Sequence, residues 1–287
     1  MKKCKKDNQE WTTIIQPNNM WNDIKLGELL HYKDLIFLFV KKNFAVQYKQ
    51  TILGPLWFIL NPLLTTYIYT LIFGGIAGIS TEGVPQFLFY LASYSLWMYF
   101  STCIIQTSKT FTGNASILGK VYFPRLVMPI STIIFSLINL FVVLAMLIIT
   151  MFIYFLRGDF IYNIGLRWLM LPILVLQTAT LSLGCGIIVS ALTTKYRDLA
   201  VLVEFGVQLL MFATPVVYPV SSMSVKMKRI VMLNPMAPVM NNFRYFILGC
   251  GTFDLNNWLL SLFVTVIILI IGILLFSKVE KTFMDTV

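Results

Sequence analysis

The sequence predicts an all-α integral membrane protein with six transmembrane helices. Of its 287 residues, 58% are hydrophobic and 12% are charged, whereas an ordinary soluble domain has about 25% charged residues. A helix needs about 20 apolar residues to cross the hydrocarbon core of a bilayer. Six stretches of about this length or longer cover residues 57–78, 86–107, 127–156, 168–192, 201–219 and 258–277. Only the fifth contains a charged residue, Glu204.

The first 56 residues precede the spans. Apolar residues recur at helical spacing between Leu26 and Tyr48, with lysines at other positions of the same segment. This pattern is typical of an amphipathic helix that lies in the membrane interface, with its lysines near anionic lipid headgroups. A helix packed on a partner protein would show the same pattern.

The basic residues indicate which connections face the cytoplasm. With six spans, both termini and the even-numbered connections lie on one side, and that side carries 16 of the 22 lysines and arginines. Cytoplasmic loops are enriched in these residues. We therefore expect residues 57–277 to form the transmembrane domain, with residues 1–56, the loops at 108–126 and 193–200, and the tail at 278–287 in the cytoplasm.

Two of these cytoplasmic loops have features of docking elements. In the loop at 108–126, Asn114 is a suitable N-cap and Gly119 a suitable helix stop, which predicts a short ordered helix. The loop at 193–200 is the second candidate. Glu204 follows this loop closely, so an ion pair at the cytoplasmic interface is expected for it rather than a proton relay.

The connection before the last span, residues 220–257, is too apolar for a solvated loop and too rich in charge and proline for a full span. Two short re-entrant helices broken at Asn234 and Pro235 satisfy both observations, because irregular backbone at membrane depth must be buried in protein or line a wet cavity. A cap resting on the membrane is the alternative.

Polar and aromatic residues recur on the first two spans at intervals of three or four, which places each set on one helix face. The first stripe is Asn61, Thr65 and Tyr69, and the second is Phe87, Tyr90, Tyr94, Trp97 and Ser101. Rings with polar edges suit the apolar faces and hydroxyl edges of sugars, which favours a channel for a polysaccharide. Helix packing with an interfacial aromatic belt explains the spacing equally well.

The residue inventory argues against catalysis and ion coupling. The single histidine, His31, lies outside the spans, the four cysteines are scattered, and no acidic residue occupies the middle of a span. The spans therefore lack the residues that an acid–base pair, a metal site or an ion relay would need. The phosphate-binding motif GxxxxGK[ST] is absent as well. We expect no enzyme activity, metal or cofactor on this chain; an ion-coupled transporter of lipids or solutes is the weaker alternative.

Six segments of the chain have a distinctive sequence. They are YKQTILGPLW with Asn61-Pro62-Leu63, GKVYFPRLVMP, KYRDL, TPVVYP, NPMAPVMNNFR and the tail KVEKTFMDTV. Together they resemble the permease subunits of ABC-2 type transporters that export bacterial cell-surface polysaccharides. They occur in the order typical of that family and cover nearly the whole chain. One position departs: where many relatives have Arg before the Tyr-Lys-Gln triplet, this chain has Gln47.

The resemblance implies a channel-forming homodimer in the bacterial inner membrane. Two copies of a separate ATPase subunit, which bind ATP and Mg²⁺, would dock on the cytoplasmic loops. The residues implied in docking are Asn114, Ile117, Leu118, Lys120, Tyr122, Phe123, Tyr196, Arg197 and Asp198. Asn234, Pro235 and Arg244 would belong to a gate on the far side.

The resemblance also implies the substrate, a glycan on a polyprenyl diphosphate carrier. Lys49 is the candidate contact for the diphosphate, since a fixed cation at the interface favours it over neutral lipid. Residues 79–92 are closer to the O-antigen branch of the family than to the teichoic acid branch; teichoic acid and capsule export are the alternatives. Membrane lipid is the remaining expected contact, and no nucleic acid is expected.

Overall fold

The computed structural model describes residues 31–48, 54–118, 120–121, 123–160, 165–196 and 198–286. Every regular element within these ranges is helical. The α-helices are α1 (Lys33–Tyr48), α2 (Trp57–Tyr69), α3 (Gln86–Ser108), α4 (Thr110–Leu118), α5 (Val127–Leu156), α6 (Leu171–Lys195), α7 (Leu199–Ala213), α8 (Val225–Met232), α9 (Met236–Leu248) and α10 (Leu255–Thr286). Short 3₁₀ turns at Gly54–Leu56, Leu166–Met170 and Val220–Ser222 precede α2, α6 and α8, and α2 continues as a π-helix over Thr70–Ile76.

Five helical segments are long and apolar enough to cross a membrane. They are Gly54–Ile76, Gln86–Ser108, Val127–Leu156, Arg167–Thr194 and Leu255–Val279. The ends predicted for these five spans lie within three residues of the observed ends. The prediction of an all-helical, multi-pass protein is thus confirmed for the described part of the chain.

The fifth predicted span is shorter in the structure. α7 has 15 residues, which rise about 22 Å, less than the roughly 30 Å of a hydrocarbon core. The predicted stretch ran to Pro219, but Thr214 is extended, with φ −106° and ψ 142°. Its successor is Pro215, and a proline disfavours helical backbone in the residue before it.

α3 lies at the centre of the molecule and packs against α2, α5, α6, α7 and α9. In its most apolar window 72% of the residues are buried, whereas the more apolar α10 has 22% of its window buried. Exposing the most apolar helices while burying a more polar one suits a protein surrounded by lipid, since lipid tails are as apolar as leucine.

Glycine lets α6 and α10 approach closely, and these two helices form the most extensive pair in the described structure. A Cβ atom at Gly184 would lie 2.9 Å from the backbone nitrogen of Leu269, and one at Gly272 would lie 2.8 Å from the Gly184 carbonyl oxygen. Small residues at helix contacts in membranes allow such backbone approach.

The N-terminal helix α1 packs on the body of the protein against α5. Phe39 and Val40 are buried, whereas Phe37, Leu38 and Val46 are largely exposed. The apolar residues of α1 therefore point both into the protein and away from it, which differs from the single apolar face expected. The part of the predicted helix before residue 31 lies outside the described ranges.

The short helix predicted in the loop at 108–126 is present, but it begins earlier than expected. α4 starts at Thr110, and Asn114 has non-helical angles of φ −122° and ψ 16° that kink it. Only Lys109 separates α3 from α4, so the helical chain re-forms one turn before Asn114. Gly119, the predicted stop, lies outside the described residues.

Candidate functional site

The two predicted stripes meet where α2, α3 and α7 come together. The Tyr69 and Tyr94 rings pack edge to face, with centroids 5.8 Å apart. The Tyr69 hydroxyl donates to Met211 Sδ of α7 at 3.3 Å. Both tyrosines are half-buried, so part of each ring remains on the surface of the protomer.

The stripe on α2 becomes more polar toward the start of the helix. Asn61 is exposed, and its Oδ1 accepts a hydrogen bond from Thr65 Oγ1 at 3.3 Å. At the other end Phe73, in the π-helix, packs on Tyr69 with centroids 5.7 Å apart. The sequence prediction omits Phe73, although this residue follows Tyr69 at the spacing of four that defines the stripe.

The stripe on α3 divides between the surface and the core of the protomer. Phe87, Tyr94 and Ser101 are half-buried, whereas Tyr90 is fully buried and Trp97 is 4% exposed. The Tyr90 ring packs on Phe89 and the Trp97 ring on Phe100, each pair with centroids 5.5 Å apart. In this conformation Tyr90 and Trp97 belong to the packing around α3.

Arg244, predicted as a gate residue, is the one charged side chain that is buried in the described part of the chain. Its Nη1 donates to the Pro215 carbonyl at 2.8 Å, the Tyr218 carbonyl at 3.4 Å and Ser93 Oγ at 3.4 Å. Its guanidinium carbon lies 4.6 Å from the centre of the Phe89 ring. These contacts join α9 to α3 and to the segment that follows α7.

The interrupted α7 and the buried arginine explain each other. Residues 214–217, which follow α7, are non-helical and buried. Backbone carbonyls in such a segment need donors from within the protein when water is absent. Arg244 supplies a donor to the Pro215 carbonyl of this segment and to the Tyr218 carbonyl that follows it.

The break between α8 and α9 at Asn234 and Pro235 is held on two sides. Asn234 Nδ2 donates to Thr214 Oγ1 at 2.8 Å. The Pro235 carbonyl accepts from Ser261 Oγ of α10 at 2.5 Å. The break is therefore tied both to the end of α7 and to the last span.

A further layer of hydrogen bonds extends this tie to α6. Gln177 Nε2 donates to Ser261 Oγ at 3.0 Å, and the indole nitrogen of Trp258 donates to Gln177 Oε1 at 2.8 Å. From the loop before α3, Glu82 accepts a hydrogen bond from Ser221 Oγ. The sequence prediction contains none of these partners, because they lie far apart along the chain and share no motif.

The predicted docking residues lie near the end of α3, about 33 Å along that helix from its start beside Arg244. Asn114 Nδ2 donates to the Thr110 carbonyl at 3.1 Å, and Lys42 Nζ donates to Asn114 Oδ1 at 3.4 Å. Phe123 is 4% exposed and packs on Phe39, with centroids 5.7 Å apart. Phe123 therefore anchors the loop to the body of the protein.

The remaining docking residues differ in exposure. Ile117 packs against the same apolar cluster as Phe123, whereas Lys120, Tyr196 and Asp198 are exposed. The side chain of Leu118 and the residues Tyr122, Arg197 and Lys49 lie outside what the structure describes.

Two contacts connect the loops to the spans. Thr193 Oγ1 of α6 donates to the Ser108 carbonyl at the end of α3 at 2.8 Å. Lys109 Nζ lies 2.5 Å from Glu204 Oε1 of α7, so the expectation of an ion pair at Glu204 is confirmed. Both side chains are more than a third exposed, and such pairs contribute about 0–1 kcal/mol.

Within the described ranges no three His, Cys, Asp or Glu side chains are placed to hold a metal ion. Cys103, Cys185 and Cys250 are free thiols.

The fold defines a multi-pass helical membrane protein. The family model described as ABC-2 type transporter matches residues 34–248, about three quarters of the sequence. The chain belongs to the ABC-2 type transporter family, as the sequence segments predicted.

Curated relatives match over most of the chain. It is 29% identical over 256 residues to an O-antigen export system permease protein RfbA of Klebsiella pneumoniae, covering 88% of this chain and 94% of the relative. A second protein of that name from Klebsiella pneumoniae is 26% identical over 252 residues, with the same coverage. The protein of that name from Myxococcus xanthus is 29% identical over 222 residues, covering 76% of this chain and 81% of the relative.

Proposed function

We propose that this chain is the permease subunit of an ATP-driven exporter that moves O-antigen, carried on polyprenyl diphosphate, across the bacterial inner membrane. The observation that carries the proposal is the similarity over 88% of the chain to permeases named for O-antigen export. The family match at residues 34–248 includes both stripes and the gate contacts. The chain provides the passage, and a separate ATPase subunit provides the energy.

In the proposed topology the chain crosses the membrane six times, with both termini in the cytoplasm. α7 and the buried segment after it act together as the fifth crossing, since 15 helical residues are too few alone. α8 and α9 re-enter the membrane from the far side, and α1 lies in the cytoplasmic interface. The exposed Phe37, Leu38 and Val46 of α1 support contact with lipid.

The passage forms between two copies of the chain. Asn61, Thr65, Tyr69 and Tyr94 remain partly accessible on one protomer, and they offer hydroxyls, an amide and ring faces to a sugar chain. Neutral groups of this kind let a hydroxylated polymer slide, because no single contact is strong. Lys49 is the proposed contact for the diphosphate at the cytoplasmic entrance.

Energy enters through α4 and the loop at 193–200, on which the ATPase docks. The bond from Thr193 to the Ser108 carbonyl and the pair of Lys109 with Glu204 connect these loops to α3, α6 and α7. A displacement of α4 is thereby passed to α3, which carries the second stripe, and to α6 and α7.

Deletion of the gene in its own strain tests the function. We expect surface O-antigen to disappear from a lipopolysaccharide gel while lipid-linked glycan accumulates inside the cell, and a plasmid copy to restore it. As a control, an ATPase subunit lacking its P-loop lysine should reproduce the defect. Loss of a capsule or teichoic acid instead, or no loss of surface glycan, would contradict the proposal.

A further inference from the structure

A polar cavity of about 190 Å³ lies between α1, α2, α3 and α5. Its lining is Gln47, Trp57, Phe58, Asn61, Pro62, Met98 and Asn139. Three of these residues are carboxamides, one carries an indole, and none is charged. Asn61 is the one stripe residue that lines the cavity. The cavity is therefore distinct from the two stripes.

The cavity reaches from the end of α1 and the start of α2 into the bundle of spans. Along the helix axes, Asn139 is about 18 Å from the start of α5 and Met98 about 15 Å from the end of α3. The mouth is formed by the exposed Gln47, Trp57 and Asn61. Polar side chains at such depth cost free energy and mark functional sites.

Asn139 is the residue that points to a ligand. It lies in the interior of a long apolar helix, and its Oδ1 atom is buried without a hydrogen-bond partner among the described residues. An unsatisfied buried acceptor destabilises a protein, whereas a leucine at this position would have no such cost. Because the residue lines the cavity, its amide Nδ2 would donate to a hydroxyl oxygen placed there.

The chemistry of the lining selects the ligand class. An ion is disfavoured because no charged side chain is present. Carboxamides donate and accept hydrogen bonds at once, which matches a group with several hydroxyls, and the indole of Trp57 offers an apolar face. A cavity of about 150 Å³ holds a benzene ring, so this one has room for a six-membered ring with substituents.

We propose that the cavity binds one sugar ring of the lipid-linked glycan, which enters past Trp57 and accepts a hydrogen bond from the Asn139 carboxamide. The inference rests on the proposed function, since that function supplies the glycan. The ring is held before it reaches Tyr69 and Tyr94, so the cavity acts as an entry subsite. A phospholipid headgroup is the competing occupant that the experiment distinguishes.

Photocrosslinking in cells tests the site with the intact complex. Benzoylphenylalanine replaces Gln47 at the mouth, and in a matched control it replaces the neighbouring Val46, which is 76% exposed and does not line the cavity. After irradiation, the permease is purified and digested, and mass spectrometry of the crosslinked peptide distinguishes an attached glycan, by the masses of its sugars, from an attached phospholipid. We expect a glycan adduct at position 47 at least about fivefold stronger than at position 46.

A second pair of variants assigns the effect to Asn139. Asn139→Leu in the background of the probe at 47 should lower the glycan adduct by about fivefold, with the amount of complex in the membrane unchanged or raised. Ile138→Leu, one residue away, should leave the adduct unchanged. Equal adducts at 46 and 47, an adduct that carries phospholipid alone, or no effect of Asn139→Leu would overturn the cavity assignment.

The deletion strain is scored alongside, which separates the two proposals. If surface O-antigen depends on the gene but the probe at 47 captures no glycan, the cavity assignment fails and the proposed function stands. If surface O-antigen does not depend on the gene, the proposed function itself fails.

Discussion

A buried arginine is compatible with a stable protein only when its partners are in place, because the desolvated charge is costly when it is left unpaired. Arg244 has two carbonyls, a hydroxyl and the face of Phe89 around it. The carbonyls belong to a segment that has left the helix. We therefore regard Arg244 as a structural brace that holds the segment after α7 against α3 and α9.

Replacing Arg244 tests this role. Arg244→Met should remove charge-assisted hydrogen bonds, each of which contributes about 1.5–3 kcal/mol, and leave the Pro215 and Tyr218 carbonyls without this donor. We expect the thermal inactivation temperature of the purified complex to fall by about 5 °C or more. Arg244→Lys should give a smaller fall, since a point charge cannot bridge both carbonyls. An unchanged inactivation temperature in Arg244→Met would contradict the brace.

Tyr69 and Tyr94 are expected to act on transport with little effect on assembly. Removing one ring of this edge-to-face pair takes away about 0.5–1.5 kcal/mol of contact. We expect Tyr94→Ala to reduce surface O-antigen, measured on gels, by about two- to tenfold, with normal amounts of the complex. Normal export in both Tyr94→Ala and Tyr69→Ala would refute a role of this pair in the passage.

Trp97 provides the contrast within the same stripe. Because it is 4% exposed, Trp97→Ala leaves a cavity in the core, at a cost of about 3–5 kcal/mol. We expect the variant to reduce the amount of complex in the membrane, as measured by immunoblotting. A normal amount of complex together with lost export would instead return Trp97 to the passage.

At the scale of elements, α4 is a short helix whose kink at Asn114 is held by Lys42 of α1 and the Thr110 carbonyl. Its position directly after α3 makes it a continuation of the central span. A helix in this position can transmit a displacement caused by a bound partner to the core of the protein, because no flexible linker separates it from α3.

A proline in α4 tests the docking role. Ile117→Pro removes a helical N–H and clashes with the preceding turn, at a cost of about 3 kcal/mol, so we expect the ATPase to be lost when a tagged permease is purified. The matched control Ile117→Leu keeps the helix and should retain the ATPase. Retention of the ATPase by Ile117→Pro at normal membrane levels would show that docking does not use α4.

The contact between α6 and α10 depends on backbone approach at glycine. In Gly184→Val, the new Cβ atom meets the backbone of Leu269 at 2.9 Å, so the helices must separate. Gly206 on α7 is a matched control, since a Cβ atom there has no neighbour within 4 Å. We expect Gly184→Val to lower the inactivation temperature by several degrees and Gly206→Val to change it little; equal effects would contradict the packing argument.

For the whole molecule, the number of crossings decides on which side of the membrane α8 and α9 lie. Lys120 and Lys226 are both exposed, and α5, α6 and α7 separate them along the chain. Each is replaced by cysteine in turn. If α7 and its buried extension cross the membrane, the two cysteines lie on opposite sides. If they do not, both cysteines lie on the same side.

Labelling with a membrane-impermeant maleimide measures this. We expect Lys226→Cys to react in intact spheroplasts and Lys120→Cys to react only in inside-out vesicles. The background is low because Cys103 and Cys250 are buried, and burial raises the pKa of the Cys250 thiol to about 11, so it stays protonated at pH 7. Cys4 and the half-buried Cys185 are replaced by serine. Labelling of both positions from one side would reject six crossings.

Some helix ends could be predicted from the sequence and others could not. The ends of five spans were predictable, because hydropathy and length are local properties of a membrane helix. The early end of α7 also had a local signal, because Pro215 disfavours helical backbone at Thr214. The prediction followed the hydropathy of residues 201–219 instead and extended the span to Pro219. For Asn114 the capping pattern was recognised, but the start of α4 depends on the preceding α3, which a capping rule does not include.

The sequence by itself determined the class of protein, five of its membrane helices and the residues Asn234, Pro235 and Arg244 of the candidate gate, together with the family. Only the tertiary structure decided that Tyr94 stays partly accessible while Tyr90 and Trp97 are buried, that Arg244 braces the segment after α7, and that Asn139 faces a polar cavity. The physical reason is that helical period places side chains on a face, whereas burial and hydrogen bonding depend on which distant helix packs against that face.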